Sequence, residues 1–247
     1  VSVTELLLVA VASALAMLVK SVTGLGYPMI SIPIIASVAG VETAVVVVSL
    51  PNAAANILIG WRTRAALSET RDLVPLSVTA LLAAIAGSFV LVNVAERPLL
   101  IVLAATVLLF VVRSLWLGDV VVAPEQGRRA APFVGLAAGL MQGAVGVSGP
   151  VIGSWFYAYR LKRDAYIFSL AVVFLCSGSA QIATLALIGE FSSERLLASA
   201  VGLIPVLMLL PVGERLRARL SSTQFDRAVL ALLATAGVVL VARVITG

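Results

Sequence analysis

The chain has 247 residues, 61% hydrophobic and 12% charged, with a mean hydropathy of +1.13. Apolar runs of helical length separated by short charged gaps exclude a soluble domain and a membrane barrel, whose segments alternate over about ten residues. The formal charge of +5 sits in inter-helix gaps, as expected of membrane loops rather than of a nucleic-acid surface.

In chain order, Val3–Val22 reads as a first apolar helix rather than a cleaved signal, interrupted only by Glu5 and Lys20. Thr23–Tyr27 is a break: two glycines precede Pro28, whose fixed φ and missing N–H suit the start of a new helix over Pro28–Ala39. Val41–Trp61 is a span carrying Pro51, Asn52 and Asn56, followed by a charged loop, Arg62–Asp72. Leu73–Val94 and Leu99–Leu117 are spans joined by a turn, and Gly118–Ala131 is the longest loop. Then Pro132–Val145 is a helix, Gly146–Gly149 a break, Pro150–Tyr159 a short helix, and Ala165–Ile188, Leu196–Val212 and Phe225–Val244 are spans.

The second half echoes the first. Gly24 and Pro28 reappear 122 positions later as Gly146 and Pro150, and the same offset pairs Lys20 with Gln142 and Glu42 with Asp164. Breaks in matching places of two apolar halves point to a transporter built on an internal repeat. The expected organisation is a first repeat over 1–117, a connecting loop over 118–131 and a second repeat over 132–247. The two arms flanking the second break have about 14 and 10 residues, hence roughly 21 and 15 Å at 1.5 Å per residue, against a hydrocarbon core of ~30 Å. That predicts a re-entrant hairpin for the second break; the first, with longer arms, is either a hairpin or two spans. With one hairpin per half, thirteen of the 17 basic residues fall on one face and Arg97, Arg195 and Arg243 on the other. The fold class is therefore an all-α polytopic membrane protein with about eight helical elements in two inverted repeats. Its basic loops are cytoplasmic and both termini outside, in a bacterial inner membrane.

GLGYPMISIP at Gly24–Pro33 and GAVGVSGP at Gly143–Pro150, with Gly87 in the third element, resemble the TauE/SafE family of sulfite and organosulfonate anion transporters. The resemblance covers essentially the whole chain; Tyr27 and Ser148 stand where the family often has further glycines. It implies movement of a small sulfur-containing anion such as sulfite, sulfoacetate or a related sulfonate.

The residues themselves suggest an anion cradle. Helices opening at Pro28 and Pro150 aim free N–H groups and a positive dipole end into their breaks, and tips entering from opposite faces would meet near the midplane. The cradle comprises Thr23, Gly24, Leu25, Gly26, Tyr27 and Pro28, and Gly146, Val147, Ser148, Gly149 and Pro150. Lys20 supplies a full positive charge or snorkels to an interface. Asn52 and Asn56, four apart on one helix face, donate to anion oxygens or tie helices together, as do Ser177 and Gln181 in the second half and Gln142 before its break. Glu42 and Asp164 suit helix N-termini and are the carboxylates available to a coupling proton.

No cofactor, metal or nucleic-acid partner is expected; the partners are the anion and the bilayer, with the oligomeric state open. An anion channel would need a continuous polar path. An intramembrane enzyme would need a base, nucleophile or metal set, which a chain with no histidine and one cysteine hardly offers. A scaffold would leave the duplicated breaks without purpose.

Overall fold

The computed structural model describes residues 2–116 and 122–217, with 234, 237–242 and 244–245. The described residues are helical, without strands. The elements are α1 (Val3–Thr23), α2 (Tyr27–Ala39), α3 (Val41–Thr63), a 3-10 helix (Arg64–Glu69), α4 (Leu73–Asn93), α5 (Glu96–Trp116), α6 (Pro124–Val145), α7 (Gly149–Ala158), α8 (Arg163–Leu187) and α9 (Ser193–Arg217). Five of the described helical segments, α1, α3 with the 3-10 helix, α4, α8 and most of α9, are long and apolar enough to cross a membrane. The expected last span, Phe225–Val244, falls largely outside the described residues.

The repeat is visible in the element boundaries. Shifted by 122 positions, α1, α2, α3 and α4 become 125–145, 149–161, 163–185 and 195–215, which are α6, α7, α8 and α9 to within about three residues.

Local chemistry sets the ends. Ser2 caps α1: its Oγ accepts from the Glu5 N–H at 3.2 Å and its own N–H donates to Glu5 Oε2 at 2.8 Å. Two expectations change. Part of the Arg62–Asp72 loop is a 3-10 helix. The helix expected over Pro132–Val145 begins eight residues earlier, because Pro124 opens it after an extended Ala123 and Pro132 is accommodated inside. At 22 residues α6 reaches about 33 Å. The short-arm argument for a hairpin therefore holds for α7, with its 10 residues, and not for α6.

Two compact units form. One comprises Val1–Pro51, Val94–Leu117 and Phe191–Gly247; the other comprises Asn52–Asn93 and Gly118–Glu190. Each draws on both halves of the sequence. Helix α9 packs with α1 in the first unit, and its repeat equivalent, α4, packs with α6 in the second.

The second unit is held by close backbone approach. Gly135, Gly139 and Gly143 recur every fourth residue along α6, where side chains share a face. A Cβ on each would run into the carbonyl oxygens of Leu76, Ala80 and Ala84 on α4, and one on Gly87 would meet Leu140 O and Gly143 Cα. Without water to expel, helices in a bilayer associate through such packing.

In the first unit Pro51 lies inside α3. Having no N–H, it leaves the Val47 carbonyl four residues earlier without its helical partner. The Ser199 hydroxyl of α9 donates to that oxygen at 2.9 Å. A kink and a neighbouring serine are thus one structural solution.

Two outcomes follow. Gly139→Val should overpack the α4–α6 contact and cost about 1–3 kcal/mol, read as a lower melting temperature in detergent. Ser199→Ala should destabilise by a comparable amount, about 1–3 kcal/mol, and adding Pro51→Ala, which restores an N–H opposite Val47, should recover part of the loss in a double-mutant cycle.

Candidate functional site

The first break lies in the unit containing α1. Helix α1 ends on Gly24 at φ 79°, in the left-handed region, and the Gly24 N–H donates to Lys20 O at 2.7 Å. The Thr23 hydroxyl accepts from the Leu25 N–H at 3.0 Å and lies within reach of the Val19 and Leu25 carbonyls, at 3.0 and 2.8 Å. Gly26, at φ 104°, has no room for a side chain: a Cβ would come within 2.8 Å of Val19 Cγ1. Helix α2 starts at Tyr27, one residue before the expected Pro28, and its start has no side-chain cap. Tyr27 is fully buried and donates to Ser13 Oγ at 3.0 Å, while Ser31 donates to Tyr27 O at 2.6 Å. Tyr27 therefore packs α2 against α1. Lys20, in the last turn of α1, is 1% exposed.

The second break repeats the closing glycine of the first but not its helix start, where Ser148 stands at φ −114° and Gly26 at φ 104°. Gly146 stands at φ 70° and its N–H donates to Gln142 O at 2.9 Å. Here the side chains differ. Gln142 Nε2 donates to Gln181 Oε1 at 3.1 Å, and the Ser148 hydroxyl donates to Gln142 Oε1 at 2.8 Å. Gln181 Nε2 donates to the Gln142 and Gly143 carbonyls at 2.6 and 3.2 Å, near the end of α6, the first of these carbonyls also accepting from the Gly146 N–H. Ser148 precedes α7 without capping it, since its hydroxyl is committed to Gln142. The Ser177 hydroxyl donates back to Val173 O at 2.8 Å. Gln142, Ser148 and Gln181, expected as anion donors, are thus brought together and engaged with one another. At the far end of α7 the Tyr159 hydroxyl donates to Asp72 Oδ2 at 2.9 Å. Burial, with Asp72 accepting that bond, pushes the hydroxyl's pKa up.

The two asparagines of α3 behave otherwise. Asn52 and Asn56 are 3% and 1% exposed. Asn52 Oδ1 and both polar atoms of the Asn56 amide have no hydrogen-bond partner. Leaving buried amide groups unsatisfied costs about 1–3 kcal/mol each.

Sequence reasoning missed Gly178. It is buried in α8, yet a Cβ there would meet no atom within 4 Å. Every α6 glycine that packs on α4 is there because space is absent; Gly178 borders open space. Its one sequence signal is a glycine between Ser177 and Ser179 in the middle of a span.

The carboxylates part company. In the first unit Arg195 Nη2 donates to Glu42 Oε1 at 2.6 Å and to Thr43 Oγ1 at 3.3 Å, beside a cavity of about 500 Å³ that Arg195 lines with Glu5 and Glu194. In the second unit Asp164 is exposed and lines a cleft of about 380 Å³ with Glu69, Lys162 and Arg163. Among the described residues no cluster of metal-ligating side chains occurs.

Apolar helices of spanning length define a multi-pass helical membrane protein. The chain matches the family described as Sulfite exporter TauE/SafE over residues 9–240. It belongs to that family. No match was found among curated proteins or among solved structures.

The amides separate by their partners. Gln181→Leu removes the side-chain donor to the Gly143 carbonyl and the acceptor of the Gln142 amide and should lower the ligand-free melting temperature, by about 1–3 kcal/mol in stability. Asn56→Leu removes an amide with no partner and should leave the ligand-free protein as stable or more so. Both are read by thermal unfolding in detergent.

Proposed function

We propose that the chain is a secondary transporter that moves a small anion, sulfite or an organosulfonate, across the bacterial inner membrane by alternating access. The observation that carries this reading is the matched pair of breaks. Both are closed by a left-handed glycine whose N–H returns to the carbonyl four residues back, and both open into a helix whose start has no side-chain cap. Free N–H groups at a helix start hold an anion without a dedicated cation. In one unit Gly24 to Pro28 is a backbone cradle with Lys20 supplying charge; in the other Gly146 to Pro150 is a backbone cradle and Asn52 and Asn56 supply neutral donors. Gln142, Ser148 and Gln181 hold the second break in shape. Gly178 keeps space for the ligand.

The repeats are inverted in the membrane, with the basic stretches Arg62–Asp72 and 118–131 cytoplasmic. Support comes from the distribution of the 17 basic residues and from the repeat of element boundaries. Direction follows from the membrane potential. An anion leaving a negative-inside cell gains ~2.3 kcal/mol per charge per 100 mV, so export needs no coupling ion. Any coupled proton would use Glu42 or Asp164.

Counterflow in proteoliposomes tests the reading. The wild-type chain, preloaded with unlabelled sulfite, should accumulate labelled sulfite transiently. Gly178→Val should insert and melt like the wild type, since a Cβ there meets open space, and should slow counterflow by about tenfold or more if the pocket is filled. Absence of counterflow in the wild type would count against a transporter. Wild-type rates in both Gly178→Val and Asn56→Leu would place the ligand elsewhere.

A further inference from the structure

The cavity of about 500 Å³ in the first unit lies at the opposite end of α1 from the first break. It is lined from the N-terminal ends of α1, α3 and α9, three helices long and apolar enough to cross a membrane. The lining follows one pattern. Each helix contributes a polar residue from its first turn, Glu5, Thr43 and Glu194, and an apolar one three or four residues later, Leu8, Val47 and Ala198. That spacing keeps both on one face, about 5 Å apart along the axis. Ile35 of α2 adds to the apolar part. At the rim Arg195 donates to Glu42 Oε1 and Thr43 Oγ1, and Glu5 is held in the capping box with Ser2.

We propose that this cavity is a docking site for a phospholipid with a primary-ammonium headgroup, of the phosphatidylethanolamine type. In a bilayer the shared first turns lie at headgroup level and the next turn in hydrocarbon. The cavity is thus polar where a lipid is polar and apolar where its chains begin. The rim's charge chooses the headgroup. Among the described residues the lining carries two carboxylates, Glu5 and Glu194, against one guanidinium, and Arg195 bridges to a third carboxylate, Glu42. That excess of negative charge repels an anionic lipid, and with it the anion proposed as substrate. It draws a cation. A primary ammonium brings three N–H donors to carboxylate oxygens, whereas a trimethylated headgroup brings none. The guanidinium meets the phosphate that such a lipid also carries. A soluble cation would leave the apolar half of the cavity unfilled. The site is separate from the anion-transport reading and does not rest on it.

The test uses the full chain, delipidated in detergent, with phosphatidylethanolamine, phosphatidylcholine and phosphatidylglycerol of identical acyl chains. Native mass spectrometry measures retained lipid, and thermal unfolding reads its effect. Phosphatidylethanolamine should bind about tenfold more tightly than either of the others and raise the melting temperature most. Glu5→Gln combined with Glu194→Gln removes both lining carboxylates, while glutamine still serves the Ser2 capping box. In that variant the preference over phosphatidylcholine should shrink toward parity, with lipid-free melting unchanged. Absent or equal retention of the three lipids by the wild type, tightest retention of phosphatidylglycerol, or an undiminished preference in the folded double variant overturns the proposal. If the double variant fails to fold, the wild-type comparison with phosphatidylcholine decides, because the two lipids differ only in the methyl groups on the ammonium. None of these outcomes bears on anion counterflow.

Discussion

A backbone inside a bilayer must satisfy its own polar groups, because no water is there to do so. The rest of this structure follows from how each departure from regular helix is answered. Where α1 and α6 stop, Gly24 and Gly146 turn left-handed and fold their N–H groups back onto Lys20 and Gln142. Near the end of α6, Gln181 reaches across from α8 to the Gln142 and Gly143 carbonyls. Where Pro51 removes a donor from α3, Ser199 replaces it from α9. Against that thoroughness, Asn52 Oδ1 and the Asn56 amide stand out as buried polar groups without a hydrogen bond.

Glycine serves opposite ends in the two places it matters most. On α6 it removes side chains so that backbone meets backbone, and any added carbon collides with α4. On α8, Gly178 removes a side chain where nothing fills the gap. The first use supplies dispersion contacts in a solvent that offers no hydrophobic driving force between helices. The second leaves room beside the helix.

The two halves have kept their skeleton and diverged in chemistry. Gly24 and Gly146 share backbone geometry, whereas Lys20 and Gln142 do not share a role. One break contains a buried charge, the other a closed network of three neutral side chains. Glu42 and Asp164 differ similarly, one bridged to Arg195 and the other exposed. Duplication conserves what the backbone requires.

Much of this was legible in the chain by itself. Hydropathy and run length determine a helical membrane protein, because the bilayer admits few other solutions. The Gly–Pro spacing at one offset determines the duplicated breaks, because left-handed closure and a helix start each demand a particular residue. Tertiary structure decided the rest. The start of α6 was misplaced because Pro124 and Pro132 are equally good openers locally, and only the packed helix shows which one opens it. That Gln142, Ser148 and Gln181 meet one another, at 2.6 to 3.1 Å, is visible only in the folded chain. Gly178 looked like any helix glycine. Whether a polar side chain is spent on its neighbours or left for a ligand, and whether a glycine admits a helix or a void, depends on atoms distant in sequence. No local pattern encodes them.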